Sequence, residues 1–178
     1  MTFFLIHAEC LDQIPATLEI LEADRDDRQS LARLLDASIP GSWPPPLLGE
    51  TLEEFIQTVS EGDDPLFAAW YWVANDPEGG RVLIGAGGTA TSPIARDSVL
   101  IGYSVLDEFQ GRGYATEAVR HLIPALFALS GIQQIEAAVY PDLGAAIRVL
   151  EKNGFVRAGE GFEEGTVRYV LKKPDGSA

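Results

Sequence analysis

Between Val99 and Ala118 the chain reads VLIGYSVLDEFQGRGYATEA: an apolar, strand-like run, a turn with glycines at alternate positions, and the opening of a helix. The first amides of a helix have no intrahelical partner and sit at the positive end of its dipole. Glycine lets a phosphate approach the backbone closely. Gln110-Gly111-Arg112-Gly113, running into Tyr114-Ala115-Thr116, is therefore a ready pyrophosphate site, with Arg112 as a cation beside it. Two familiar phosphate motifs are excluded. Thr116 stands where a dinucleotide fingerprint needs its third glycine, and no Gly-Lys-Ser/Thr follows to make a nucleoside-triphosphate loop. Taken alone, Gly-x-Gly fits a plain helix-opening turn as well as it fits a phosphate site.

The elements that must position this turn alternate between strand-like and helix-like patterns, the α/β signature. Ala16 to Glu22 alternates apolar and polar residues and reads as a first strand, and Asp24 to Asp36 as a helix. The prolines between Ile39 and Gly49 predict a loop, and Thr51, with Glu54 three residues on, predicts the cap of a helix reaching about Val59. Leu66–Ala74, Arg81–Thr91 and Ser98–Leu106 read as a meander of three strands. Tyr114–Leu129 reads as an amphipathic helix that Pro124 kinks or breaks and Gly131 ends. Gln134–Tyr140 follows as a strand, Gly144–Asn153 as a helix with Gly154 beyond it, and 157–160 with 166–172 as a closing hairpin. Residues 1–15 are assigned to an N-terminal extension, 16–173 to one domain, and 174–178 to a loose tail.

Composition bounds the partners. A formal charge of −14 argues against nucleic acid, whose affinity rests on phosphate attraction, and suits a cationic acceptor, although an acidic surface also serves solubility. The one cysteine, Cys10, forbids an intrachain disulfide and suits a reducing, cytoplasmic setting; with no His/Asp partner signalled it reads as inert. Phe3-Phe4-Leu5-Ile6 is too short to span a bilayer and lacks the flanks of a signal peptide, so it reads as packing onto the domain or a partner. No membrane association is expected.

The whole 99–118 string resembles the acetyl-CoA motif Q/R-x-x-G-x-G/A of the GCN5-related N-acetyltransferase (GNAT) superfamily, through Gln110, Gly113 and Ala115. The flanking I-G-Y and Y-A-T-E-A look like its ribosomal-protein N-acetyltransferase branch. A second segment, Pro141-Asp142 and then Ala145 to Phe155, is similar to the family's P-D-N-x-x-S-I-R-V-L-E-K-x-G-F stretch. The resemblance implies a single α/β domain. Its mixed, mostly antiparallel sheet would have six to seven strands, splayed between 98–106 and 134–140 and flanked by about four helices. It implies acetyl-CoA as cosubstrate, no metal, direct transfer to a primary amine on a protein N-terminus or small molecule, and a homodimer. The pantetheine arm would pair with main-chain groups at Val105 and Leu106. The pyrophosphate would lie on residues 111 to 116, and the thioester would point toward Leu100 to Tyr103. Arg148 and Lys152 are candidates for the nucleotide end, or plain solvated helix face.

For proton transfer the resemblance stops. The positions where relatives carry a Glu, an Asn, a Ser and a Tyr are Leu100, Leu143, Ala146 and Leu150. Tyr103 and Tyr140 remain as candidate acids. Glu108 (or Asp107, or a loop carboxylate) remains as a base through water, and an amide near Val105 as the group that polarises the thioester. An α-amino group titrates near neutrality and needs little base. His7 and His121 read as structural. Trp43, beside Pro44-Pro45-Pro46, either walls the acceptor pocket or plugs the core edge. Acidic residues such as Glu53, Glu54, Glu163 and Glu164 either attract a cation or only solvate the surface. The apolar replacements leave two other readings open besides amine acetylation of a peptide: an antibiotic or polyamine acetyltransferase, and a catalytically weak acetyl-CoA-binding or sensing module.

Overall fold

The computed structural model describes residues 5–78 and 80–175. An eight-stranded sheet is built from β1 (Ile6–His7), β2 (Leu11–Pro15), β3 (Ala68–Asp76), β4 (Gly80–Thr91), β5 (Ser98–Val105), β6 (Gln134–Val139), β7 (Val156–Glu160) and β8 (Val167–Lys172). Their order across the sheet is β1-β2-β3-β4-β5-β6-β8-β7. Every neighbouring pair is antiparallel except β5 and β6, which run parallel. That single parallel pair needs a crossover, and α4 (Tyr114–Phe127) supplies it.

Two apolar cores lie on the two faces. Trp70, Trp72, Val99, Ile101 and Ile135 pack under α4 and α5 (Gly144–Lys152) on one face. Tyr71, Val73 and Leu83 pack on the other, under α1 (Leu18–Asp26), α2 (Arg28–Leu35) and α3 (Pro46–Glu61). The alternation along β3, whose residues 68–74 are all buried, is what a strand covered on both faces shows.

Three expectations are corrected at the N-terminal end. The strand expected at Ala16–Glu22 is helix: Thr17 caps it by accepting the Ile20 amide at 3.2 Å, and the buried set Ile20, Leu21, Ala23 and Asp24 has helical spacing. The helix expected over Asp24–Asp36 is two, because the Asp27 backbone turns extended and its side chain accepts the amides of Gln29 and Ser30 to cap the second. The helix expected from Thr51 begins five residues earlier, with Pro46 at a first position whose missing N–H has no intrahelical partner to lose. The first long strand lies instead at Leu11–Pro15, inside the segment assigned to an extension, where Leu11 and Gln13 are fully buried. Of the apolar start, Phe3 and Phe4 lie outside the described residues, as do 176–178 of the tail. Helix α4 runs unbroken through Pro124 but stops at Phe127, short of Gly131. Among the described residues no helix is long and apolar enough to cross a membrane.

Candidate active site

Strands β5 and β6 pair only at Ser98–Gln134, Val99–Ile135 and Leu100–Glu136. On its other side β5 stays in register with β4 as far as Val105. From Ile101 onward, then, the main chain of β5 faces an opening where a sheet neighbour would lie. The far wall of that opening is α5, and its floor is the start of α4. Together they enclose a cleft of about 530 Å³.

The turn after β5 has the shape its glycines permit. Gly111 and Gly113 take φ of 76° and 85°, the left-handed region where a side chain is strained, and the space beside each is open. Gly113 precedes α4 with no side-chain cap, so the helix start is left for a ligand or solvent. Gln110 braces the turn: its Nε2 donates to the Val105 carbonyl at 3.0 Å and to Asp107 Oδ1 at 3.2 Å.

Seven of the nine expected donor-binding residues line the cleft: Val105, Gln110, Gly111 and Gly113, then Tyr114, Ala115 and Thr116. Two are placed elsewhere. Leu106 is 3% exposed in the core under α1–α3, and its N–H is donated to the Ile84 carbonyl at 2.8 Å. Arg112 lies over the Phe109 ring, 5.3 Å from its centre, and donates back to the Glu108 carbonyl at 3.2 Å. The cations that do face the cleft are Arg148 and Lys152, on α5. Sequence reasoning passed over the first turn of that helix, although the resemblance flagged the segment: Asp142, Leu143, Gly144 and Ala145 form the far wall.

The candidate catalytic residues separate. Glu108 is absent from the cleft lining; its Oε1 accepts the Ser42 hydroxyl at 2.6 Å, tying the turn to the α2–α3 loop. Tyr140, 46% exposed, follows β6 and lies outside the lining too. Tyr103 alone stands on the wall. Its hydroxyl donates to the Ala146 carbonyl of α5 at 3.0 Å, and burial pushes its ionisation well above the ordinary tyrosine value, so it stays protonated. Serving a leaving thiolate would require it to release Ala146. Trp43 is in the core: 5% exposed, its indole N–H held by Asp24 Oδ1 at 2.8 Å and its ring 5.8 Å from that of Tyr71. His7 is exposed and pairs with Asp12 at 2.7 Å. Among the described residues no cluster of three His, Cys, Asp or Glu side chains is placed to hold a metal.

Known proteins share this fold. The fold is that of the ribosomal-protein-S5-alanine acetyltransferase from Vibrio fischeri, with a TM-score of 0.65 at 17% identity over 97% of this chain and 98% of that one. It is also that of RimL, a ribosomal L7/L12 alpha-N-protein acetyltransferase solved in complex with coenzyme A (TM-score 0.64, 16% identity, 95% and 98% covered). A third example is AAC(6')-Ib, solved with acetyl-CoA (TM-score 0.64, 18% identity, 93% and 94% covered). In sequence, the probable N-acetyltransferase YjcK of Bacillus subtilis (strain 168) is 38% identical over 65 residues, a match that spans 36% of this chain and 36% of that relative. A family model described as an acetyltransferase (GNAT) domain matches residues 17–156, which take in the splayed strands, the glycine turn and both helices of the cleft. On that match, the chain belongs to the GNAT acetyltransferase family.

Proposed function

We propose that this protein transfers an acetyl group from acetyl-CoA to a primary amine held in the same complex. The observation that carries the reading is the half-unzipped sheet: β5 loses its neighbour after Leu100, directly above a helix start left uncapped by any side chain and preceded by two left-handed glycines. An anionic, extended donor fits this combination. The amides of 111–116 and the dipole of α4 favour its pyrophosphate, Arg148 and Lys152 its other phosphates, and the free edge of β5 its amide-bearing arm. The donor supplies a thioester; the amine nitrogen forms the new C–N bond as the C–S bond breaks, sulfur leaves as thiolate, and the proton the nitrogen loses passes through water to that thiolate.

What the chain contributes is alignment of two bound reactants and a main-chain donor for the carbonyl oxygen, effects of several kcal/mol in typical enzymes. An acceptor whose amine is already partly neutral needs no strong base, consistent with the absence of Glu108 from the cleft lining. Charge favours a cationic acceptor: residues 1–78 hold 16 Asp and Glu against 3 Arg, and the remaining 100 hold 11 against 10 Lys and Arg. The acidic half is the one built from α1–α3. AAC(6')-Ib, solved with aminoglycosides, and RimL, named for a protein N-terminus, mark the two acceptor types to test. The reading carries with it a cytoplasmic setting, which one free cysteine suits, and a homodimer.

A second reading is supported by the apolar replacements: Leu150 is wholly buried and Leu143 lines the cleft without a polar group to offer. On this reading the protein binds acetyl-CoA and turns over slowly or not at all. Calorimetric titration with acetyl-CoA, followed by a panel of aminoglycosides, polyamines and N-terminal peptides monitored by thiol release, separates the two. Binding with turnover on one class supports transfer, binding without turnover supports the module, and no binding defeats both.

A further inference from the structure

Once β5 and β6 part, no ladder sets the width of the cleft. Among the described residues the one polar link from β5 to α5 is the Tyr103 hydroxyl on the Ala146 carbonyl, and both residues line the opening. What holds the Tyr103 ring lies two strands away. Gly87 on β4 is the register partner of Tyr103 on β5 and of Trp70 on β3. A Cβ at Gly87 would come within 2.8 Å of Trp72 Cζ2 and 3.2 Å of its Cε2, so the indole occupies the space a side chain there would take. Having crossed β4 through that gap, the indole stacks on Tyr103, ring centres 6.1 Å apart and planes 23° from parallel. Trp72 is 1% exposed, yet its Nε1 has no hydrogen-bond partner. A buried tryptophan whose N–H goes unused is held for the reach of its ring.

We propose that Trp72 and Gly87 are positioning residues for the donor cleft: the indole, seated over Gly87, wedges Tyr103 so that its hydroxyl latches α5 to β5 and fixes how far the sheet is splayed. This rests on the reading of the cleft as the acetyl-CoA site. It assigns a task to Gly87 and Trp72, neither of which lines the cleft, and makes Tyr103 a strut.

The test is Gly87→Ala. Its Cβ is anchored to a strand paired on both sides, so the indole must give way and the latch with it. We expect the Kd for acetyl-CoA, by calorimetry, to rise about tenfold, the size of one lost hydrogen bond. The KM for acetyl-CoA should follow, while kcat at saturating donor and the KM for the amine stay within about twofold. Trp72→Phe, whose shorter ring leaves the Tyr103 stack, should raise the Kd by a similar amount, and adding it to Gly87→Ala should raise it little further, a non-additivity that general damage to the fold would not show. Tyr103→Phe, which removes only the hydroxyl, should reproduce the loss of donor affinity. Wild-type binding together with unaltered affinity in Gly87→Ala or Tyr103→Phe overturns the latch alone, as does a fall in kcat without a change in donor affinity. Failure of the wild type to bind acetyl-CoA overturns the site reading itself.

Discussion

Replacing Gly113 by Asp tests the phosphate turn most directly, and its size can be worked from the structure. The residue has φ of 85° with open space beside it, so a side chain fits and the damage to folding is limited to backbone strain, about 1–2 kcal/mol and less for Asp and Asn, which visit this region more readily. The new carboxylate projects where a pyrophosphate on the α4 amides would lie. At roughly 4 Å, two like charges repel by about 1 kcal/mol in water and about 4 kcal/mol at a protein-surface dielectric. An intermediate penalty of about 3 kcal/mol corresponds to about 150-fold weaker binding of acetyl-CoA. Gly113→Asn has nearly the same shape and no charge, so the Asp-to-Asn ratio isolates the electrostatic part. Calorimetry with acetyl-CoA should show both losses, the Asp loss shrinking as salt is added. A short acetyl thioester without phosphates should be used equally by all three proteins. If Asp and Asn variants bind acetyl-CoA alike, no phosphate sits at this turn and the reasoning fails.

Arg148→Ala and Lys152→Ala should each weaken acetyl-CoA about threefold at low salt, as exposed charges do, with no effect on a donor lacking phosphates; equal losses on both donors would show that α5 itself had moved. Arg168→Met strips its ion pair from Glu136, a fully buried carboxylate that also accepts from Ser92, Ser98 and Gln134. We expect a loss of about 3–5 kcal/mol, or about 10 °C in Tm, largely recovered by adding Glu136→Gln; a loss under about 1 kcal/mol would show that the ion pair contributes little to stability. Acid should destabilise the protein through Asp12 and Asp64. Burial pushes both carboxyls up, but Arg81 and His7 on the first, and Thr91 with the Leu66 and Phe67 amides on the second, outweigh it and hold both below the ordinary value. A depressed folded pKa stabilises above the unfolded value and is lost as pH falls through the folded one, so denaturant midpoints should drop below about pH 4, less steeply in Asp64→Asn.

The glycine turn and the helix start after it were legible because their geometry is local. Gly111 and Gly113 declare a turn that only glycine makes easily, and the helix they open follows at once. What escaped was set by distant partners. Trp43 looked free to wall a pocket, but Asp24, 19 residues upstream and buried, claims its indole N–H. Glu108 carried no local sign that Ser42, 66 residues away, donates its hydroxyl to Oε1. Alternation misled at Leu18 and Ile20, where Leu18 is 36% exposed and the burial run that follows is helical. It hid the true strand at Leu11–Pro15, where the second inward position is a polar Gln13 whose amide nitrogen donates to the Ala118 carbonyl. A pattern reader discounts a buried glutamine until it sees the helix above it.

The sheet that carries the site is hydrogen-bonded across its middle by only three register pairs, while one apolar core runs from Trp70 through Ile135 to Tyr169 on both sides of that seam. Apolar packing can slide where a ladder cannot, so the seam at 98–100 is where the ladder ties the two halves least. On the proposed reading, an extended donor would lie along the free edge of β5 in the place of the missing neighbour, and in that sense would be a removable strand. Its arrival would complete the sheet as well as fill a pocket. Stability and donor affinity would then be linked: whatever holds the seam at its bound spacing prepares the cleft, and a bound donor stabilises the folded chain.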